Sequence, residues 1–157
     1  MRIIIAGAGA VGTHLAKMLS DERQDIVLMD ANEERLANLD SNFDLMTIVA
    51  SPTSINSLKN AGIADTDLFI AVTPEESTNI TSCMLAHSLG AKKTVARIDN
   101  HEYLQPKNKE FFNKLGIDSL IYPEMRAAKE IADGLHLSWK SQRWESSGGA
   151  LVVLGVK

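Results

Sequence analysis

The strongest constraint on the fold lies in the first twelve residues, where a glycine-rich turn follows a short apolar run. The run covers residues 3–6 and predicts a strand that is buried on both faces. The turn has the spacing G-x-G-x-x-G, at Gly7, Gly9 and Gly12. The next residues have the spacing of an amphipathic helix, with apolar positions at Val11, Leu15, Met18 and Leu19. A strand, a glycine turn and a helix in this order predict a dinucleotide-binding unit.

Each glycine of the turn has a separate physical task in such a unit. Gly7 permits the tight turn off the strand, and Gly12 lets the helix pack close to that strand. Gly9 has no Cβ, so a pyrophosphate can approach the backbone, and the helix dipole favours the negative charge. A glycine-rich turn without any ligand is the alternative. The candidate cofactor-binding segment consists of Gly7, Ala8, Gly9, Ala10, Val11 and Gly12.

A second signal is an acidic residue at the end of the next predicted strand, residues 24–30. Asp30 lies 18 residues after Gly12, close to the spacing of roughly 20 expected of a carboxylate that binds a ribose hydroxyl. This carboxylate would repel a 2′-phosphate, and no arginine follows it directly, since residues 31–34 read Ala-Asn-Glu-Glu. The site, which includes Ala31, is therefore predicted to prefer NAD or NADH over the NADP pair. Alternatively, Asp30 caps the following helix.

The composition restricts the class of protein. With 157 residues, 45% of them hydrophobic and 23% charged, the chain is expected to form a globular domain of ordinary size. The net charge of −4 argues against broad nucleic-acid binding. The single cysteine, Cys83, excludes a disulfide framework within the chain. No apolar stretch approaches the roughly 20 residues that cross a bilayer.

Strand and helix patterns alternate along the first 121 residues. The alternation predicts an α/β fold, a Rossmann-like doubly wound parallel sheet of probable order 3-2-1-4-5-6, with the ligand crevice above strands 1 and 4. The predicted strands cover residues 3–6, 24–30, 44–49, 67–73, 93–98 and 117–121.

The pattern changes near residue 136. Pro123 predicts the start of a crossover helix after the sixth strand, with an apolar stripe at Met125, Ala128, Ile131, Ala132 and Leu135. We expect a dinucleotide-binding domain over residues 1–136. Residues 137–157 are expected to be a linker and the start of a second, truncated element, because a strand-like run over residues 150–157 ends with the chain.

Together these segments resemble the potassium-transport nucleotide-binding domain, or N-terminal RCK domain, of the TrkA-type regulatory subunits of bacterial Trk potassium uptake systems. The resemblance covers residues 1 to about 132. Its more specific parts are DLFIAVT at 67–73, ESTN at 76–79, ARI at 96–98 and PE at 123–124.

The resemblance implies a regulatory rather than catalytic role. The ligand would be NAD or NADH, with ADP or ATP as a further possibility. The partners would be a membrane-embedded potassium transporter subunit and further copies of this chain, at the inner face of the membrane, without nucleic acid. Two positions depart from the family pattern. Ser51 stands where an acid often meets the adenine, and Ala10 stands where some triphosphate-binding relatives carry arginine.

Three further residues are candidates for ligand contact, each with an alternative. Thr73 ends the fourth strand and either overhangs the crevice or caps the approach to a helix. Asn79 lies in the first turn of the next helix and either reaches the ligand or is solvated. Arg97 lies near the end of the fifth strand, where a phosphate or Asp99 would neutralise its charge.

The main alternative function is the cofactor domain of an NAD-dependent oxidoreductase that lacks its catalytic domain. Tyr103 and Lys107 match the Y-x-x-x-K pair of short-chain dehydrogenases, but Pro106 would disrupt the helical face that the pair requires. We therefore predict neither catalytic residues nor metal ligands. Cys83 is expected to be a core residue rather than a nucleophile.

Overall fold

The computed structural model describes residues 1–22, 24–37, 39, 43–123, 142–146 and 151–155. The chain divides into two compact units, Met1–Tyr122 and Pro123–Lys157. The helix predicted after Pro123 lies outside the described residues, as does the boundary predicted near residue 136. Both stay predictions, together with the expected division into domains.

The first unit contains a six-stranded parallel sheet of order β3-β2-β1-β4-β5-β6, which confirms the predicted order. The order reverses between β1 and β4, so a crevice is expected above their carboxyl ends. The strands are β1 Arg2–Ala6, β2 Asp25–Asp30, β3 Met46–Val49, β4 Leu68–Ala71, β5 Thr94–Arg97 and β6 Ser119–Ile121.

Helices connect these strands, as expected of a doubly wound fold. The α-helices are α1 Ala10–Asp21, α2 Glu33–Ala37, α3 Ile55–Asn60, α4 Glu76–Ser88 and α5 Pro106–Lys114. Ser54 caps α3 through its side chain, which accepts a hydrogen bond from the N–H of Ser57 at 3.3 Å. Two short 3₁₀ segments cover Ile63–Asp65 and His101–Leu104.

The central strand β1 is buried on both faces, as predicted. Ile4 packs in one hydrophobic cluster with Leu58 of α3 and Cys83 of α4. Ile5 points to the opposite face and packs in a second cluster with Leu36 of α2 and with α1. The sheet therefore separates two helical layers, with α1 and α2 on one side and α3 and α4 on the other.

The buried face of α1 differs from the predicted stripe. Val11 and Met18 are exposed, whereas Gly12 and Ala16 are buried against the sheet. A Cβ at Gly12 would collide with the carbonyl oxygen of Gly7, so this helix approaches the strand too closely for larger side chains. Leu15 and Leu19 pack against the core as predicted, so the spacing of large apolar residues was a wrong guide only for Val11 and Met18. In α5, Phe111 is exposed and Phe112 lies in the core.

The second unit contains a pair of antiparallel strands, β7 Gln142–Ser146 and β8 Leu151–Gly155, in which Trp144 lies opposite Val153. The sequence predicted a strand in the region of β8 but contained no clear signal for β7. None of the described helices is long and apolar enough to span a membrane.

Candidate functional site

The glycine turn after β1 is held between the ends of β2 and β4. The N–H of Gly7 donates a hydrogen bond of 2.8 Å to the carbonyl oxygen of Met29, the residue before Asp30 in β2. A Cβ at Gly7 would lie 2.8 Å from the backbone nitrogen of Thr73, and its φ of +110° disfavours other residues. Gly7 is therefore a glycine because the fold requires it, and it brings Thr73 next to the turn.

Gly9 differs from its two neighbours in the motif. Its φ of −75° suits any residue, and no protein atom lies within 4 Å of the place that a Cβ would occupy. Gly9 also precedes α1 without supplying a side-chain cap, so the amides of the first turn of α1 have no partner within the helix. Neither backbone strain nor packing explains this glycine, whereas a phosphate approaching these amides would.

The carboxylate of Asp30 binds the glycine turn directly. Its side chain is almost fully buried, and Oδ2 accepts a hydrogen bond of 2.7 Å from the N–H of Ala8. The other oxygen, Oδ1, accepts one of 2.8 Å from the N–H of Asn32. The helix-capping alternative applies instead to Asn32, whose side chain accepts a hydrogen bond from Glu34 in the first turn of α2.

A positively charged cleft lies beside Gly9. Its wall contains Arg35, whose Nη1 lies 3.4 Å from Asp30 Oδ2 and whose side chain is 43% exposed. The sequence showed no arginine directly after Asp30, yet the short helix α2 folds residue 35 back over the strand end. A search one helical turn further along the chain would have found it. The cleft is lined by Ala8, Gly9, Ala10, Thr13, His14, Lys17, Arg35 and Leu39.

Asn79 is a buried link between the ends of β4 and β5. Its Oδ1 accepts hydrogen bonds from the N–H and the hydroxyl of Thr73, at 2.9 and 2.7 Å. Its Nδ2 donates to the carbonyl oxygens of Thr73 and Arg97, at 2.9 and 3.0 Å. The side chain is only 1% exposed, so the alternative of a solvated residue is wrong. Its amide is hydrogen-bonded to Thr73 and Arg97 and fixes the position of Thr73, and direct contact of Asn79 with a ligand stays a prediction.

Arg97 and Ser51 lie at the same edge of the sheet as the glycine turn. The guanidinium of Arg97 lies 3.3 Å from Asp99, and its buried Nε has no hydrogen-bond partner. Glu76 fixes this loop, because its Oε2 accepts from the backbone nitrogens of Asp99 and Asn100 at 2.6 and 2.7 Å. Ser51 follows β3 and is exposed, with its hydroxyl 2.9 Å from that of Thr53.

The predicted site residues are thus brought to one edge of the sheet, and a comparison with known proteins shows what kind of domain carries them. Residues 3–123 match the family model of the TrkA-N domain. The chain belongs to the TrkA-N domain family. It is 44% identical over 133 residues to the Trk system potassium uptake protein TrkA of Haemophilus influenzae, covering 83% of this chain and 29% of that protein. The TrkA-N chain thus spans less than a third of this relative.

Solved structures confirm the fold of this TrkA-N domain. The TrkA-N domain of the inner membrane protein ybaL from Escherichia coli superposes with a TM-score of 0.73 at 14% identity, covering 85% of this chain and 96% of that one. The GsuK channel bound to NAD superposes with a TM-score of 0.68 at 17% identity, covering 93% of this chain and 25% of that one. The Kef C-terminal domain of Shewanella denitrificans, in an AMP-bound form, superposes with a TM-score of 0.65 at 20% identity. The match covers 90% of this chain and 84% of that one.

Three residues have side chains capable of enzymatic chemistry, a tyrosine and a lysine that match a catalytic pair and a cysteine. Tyr103 lies in a 3₁₀ segment and packs against Phe112 with ring centroids 4.9 Å apart, whereas Lys107 lies in α5, which Pro106 begins. They do not share one helical face, as the proline predicted. Cys83 is fully buried, and burial raises the pKa of its thiol to about 12. Within the described part of this TrkA-N domain, no cluster of side chains has the composition of a metal site.

Proposed function

We propose that this chain is the nucleotide-binding part of a regulatory subunit that controls a potassium uptake transporter, and that the cleft beside Gly9 holds NAD or NADH. The observation that carries the proposal is the open position of Gly9, a glycine that no feature of the fold requires. The similarity to the Haemophilus protein, a Trk system potassium uptake protein, supports the proposed role in potassium uptake. The NAD-bound GsuK channel supports NAD as a ligand class for this fold.

The elements that meet at this edge of the sheet would have separate tasks in such a site. The amides of the first turn of α1 would bind the pyrophosphate, since the helix dipole favours negative charge there. Asp30 would accept a hydrogen bond from the adenosine ribose. Ala31 and Ser51 would lie on the adenine side, whereas the ends of β4 and β5 would lie on the other side of the turn, with Thr73 and Arg97 nearest the ligand.

The charges around the cleft support an anionic ligand. The whole chain carries a net charge of −4, yet the cleft contains Lys17 and Arg35 together with His14. The two cations, Lys17 and Arg35, lie beside the free amides of α1, so the local potential opposes that of the whole chain. A dinucleotide with two phosphates would be attracted to this part of the surface.

An adenine nucleotide such as ADP or ATP is the second candidate ligand, and the AMP-bound Kef domain supports that class. Both classes share the adenosine and the first phosphates. Titration of NADH in the presence and absence of ADP or ATP ranks the three ligands. Weaker binding of ATP than of NADH is expected, because Ala10 offers no cation to a terminal phosphate.

The bound nucleotide would act as a signal and would not be turned over. We expect no oxidation of NADH by this chain with small carbonyl substrates, and detectable turnover that is lost in Gly9→Ala would contradict this. The alternative, a cofactor domain of an NAD-dependent oxidoreductase, predicts such turnover once a catalytic domain is joined to it.

The signal would pass to a membrane-embedded transporter subunit at the cytoplasmic face, through a homodimer or larger homo-oligomer. Coupling of this kind requires that the ligand bind two arrangements of subunits with different affinities. Light scattering with and without NADH, on the full chain and on a chain ending at Tyr122, tests self-association. A strict monomer at high micromolar concentration, unchanged by the truncation, would contradict it. A potassium transporter encoded beside this gene, and its co-purification with this chain, would test the partner.

A further inference from the structure

The ion pair between Asp30 and Arg35 influences whether the site accepts a ribose that carries a 2′-phosphate. Arg35 Nη1 lies 3.4 Å from Asp30 Oδ2, a long contact compared with the 2.7 Å hydrogen bond that Ala8 donates to the same oxygen. Asp30 is nearly buried, whereas the Arg35 side chain is 43% exposed. The guanidinium is therefore the more weakly held and more accessible donor at this carboxylate.

The two charges have opposite effects on a 2′-phosphorylated nucleotide. A carboxylate at the ribose position favours a free 2′-hydroxyl and repels a 2′-phosphate, whereas a nearby arginine accommodates that phosphate. A guanidinium is well suited to the task because it binds phosphate oxygens through two parallel N–H groups. Because Arg35 touches the carboxylate that would meet the ribose, both charges act at one place on the ligand.

We propose that Arg35 is a specificity-determining residue of this site, and that it offsets the repulsion between Asp30 and a 2′-phosphate. The inference rests on the proposed function, because it concerns the same nucleotide cleft. NADH remains the tighter ligand, since the Asp30 carboxylate is fixed by two backbone N–H groups. NADPH nevertheless binds measurably, because Arg35 can leave Asp30 and pair with the phosphate.

Titration calorimetry with NADH and NADPH on the wild-type chain and on Arg35→Gln and Arg35→Glu tests the proposal. A second pair of probes, 5′-AMP and adenosine 2′,5′-bisphosphate, isolates the 2′-phosphate from the nicotinamide half. Lys59→Gln removes one positive charge from α3, which packs on the opposite face of the sheet, and serves as the matched control. Thermal melts check that each variant is folded, which is expected because the Arg35 side chain lies at the surface, 43% exposed.

In Arg35→Gln we expect the Kd of NADPH to rise about tenfold or more, as for the loss of a charged hydrogen bond, and that of NADH to change less than about threefold. Arg35→Glu should enlarge the difference, adenosine 2′,5′-bisphosphate should follow NADPH, and Lys59→Gln should change neither Kd. Equal weakening of both dinucleotides would overturn the inference, because Arg35 would then contact a group they share. An unchanged ratio of the NADPH and NADH Kd values in the Arg35 variants would also overturn it. So would NADPH binding too weak to measure in the wild type. A wild-type chain that binds neither NADH nor 5′-AMP would instead refute the proposed function.

Discussion

The carboxylate of Asp30 and the backbone N–H of Ala8 form a buried hydrogen bond of 2.7 Å that joins the end of β2 to the glycine turn after β1. A hydrogen bond from a backbone N–H to an ionised carboxylate is stronger than one to a neutral acceptor. The shape of the turn and the proposed recognition of the ribose therefore depend on one side chain. Changes at this residue should affect folding and binding together.

Asp30→Ala should lower both the stability of the chain and its affinity for NADH. The variant leaves the N–H groups of Ala8 and Asn32 without their acceptor, which costs about 1–3 kcal/mol of the free energy of unfolding. The loss of the ribose contact should weaken NADH binding by about 1–3 kcal/mol as well. Urea unfolding and calorimetry measure the two effects. Asp44→Ala, which removes an exposed carboxylate, is the control, and an equal loss of stability in both variants would contradict the role of Asp30.

Gly12→Ala should be far more damaging to the fold than Gly9→Ala. The added methyl group at Gly12 would collide with the carbonyl oxygen of Gly7, and moving α1 off the sheet would cost several kcal/mol, roughly as other overpacked core sites do. The same methyl group at Gly9 meets open space, so only about 1 kcal/mol or less is expected from the poorer helix cap. Thermal melts compare the stabilities of the two variants. Similar midpoints would contradict the close approach of α1 to the glycine turn.

Asn79→Ala should destabilise the chain by about 2–4 kcal/mol, because it removes the hydrogen bonds of three part-buried backbone groups of Thr73 and Arg97. Any loss of ligand affinity should then be indirect, through the displaced end of β4. Asn56→Ala changes an exposed asparagine of α3 and should alter stability by less than about 0.5 kcal/mol. A stable Asn79→Ala variant that has lost only ligand binding would favour direct contact between Asn79 and the nucleotide.

Cys83 should be unreactive in the folded chain. Burial raises the pKa of its thiol to about 12, so at pH 8 only about one molecule in 10⁴ carries the nucleophilic thiolate. The sulfur is also enclosed, 3.4 Å from the carbonyl oxygen of Val95. A thiol-specific chromogenic disulfide should therefore label the chain only after denaturation, at a rate that follows unfolding. Rapid labelling of the native chain at pH 8 would contradict the burial of α4 against β5.

The order of the sheet could be predicted from the sequence because the signals for its central strand and for the glycine turn that follows each lie within a few consecutive residues. The run Ile3-Ile4-Ile5 has apolar residues on both faces, which only a strand between two helical layers can bury. The glycine spacing marked the turn from the first strand into its helix, and Asp30 marked the end of the next strand. Such signals need no knowledge of residues far away in the chain.

Contacts between elements could not be predicted in the same way. Arg35 is five residues from Asp30, and the turn from β2 into α2 brings its guanidinium back to the carboxylate. Asn79 has a helix-start position in the sequence, but its burial depends on the separation of the ends of β4 and β5. The face of α1 was predicted only in part, because its leucines pack against the core whereas Val11 is exposed.

Calorimetric titration of NADH into the wild-type chain and into Gly9→Ala tests the central claim most directly. The claim predicts one NADH bound per chain in the wild type. It also predicts at least about tenfold weaker binding in Gly9→Ala, whose thermal midpoint stays close to that of the wild type, because the new methyl group occupies the approach of the pyrophosphate and touches no protein atom. Equal affinity in a folded Gly9→Ala variant, or no binding of NADH to the wild-type chain, would contradict it.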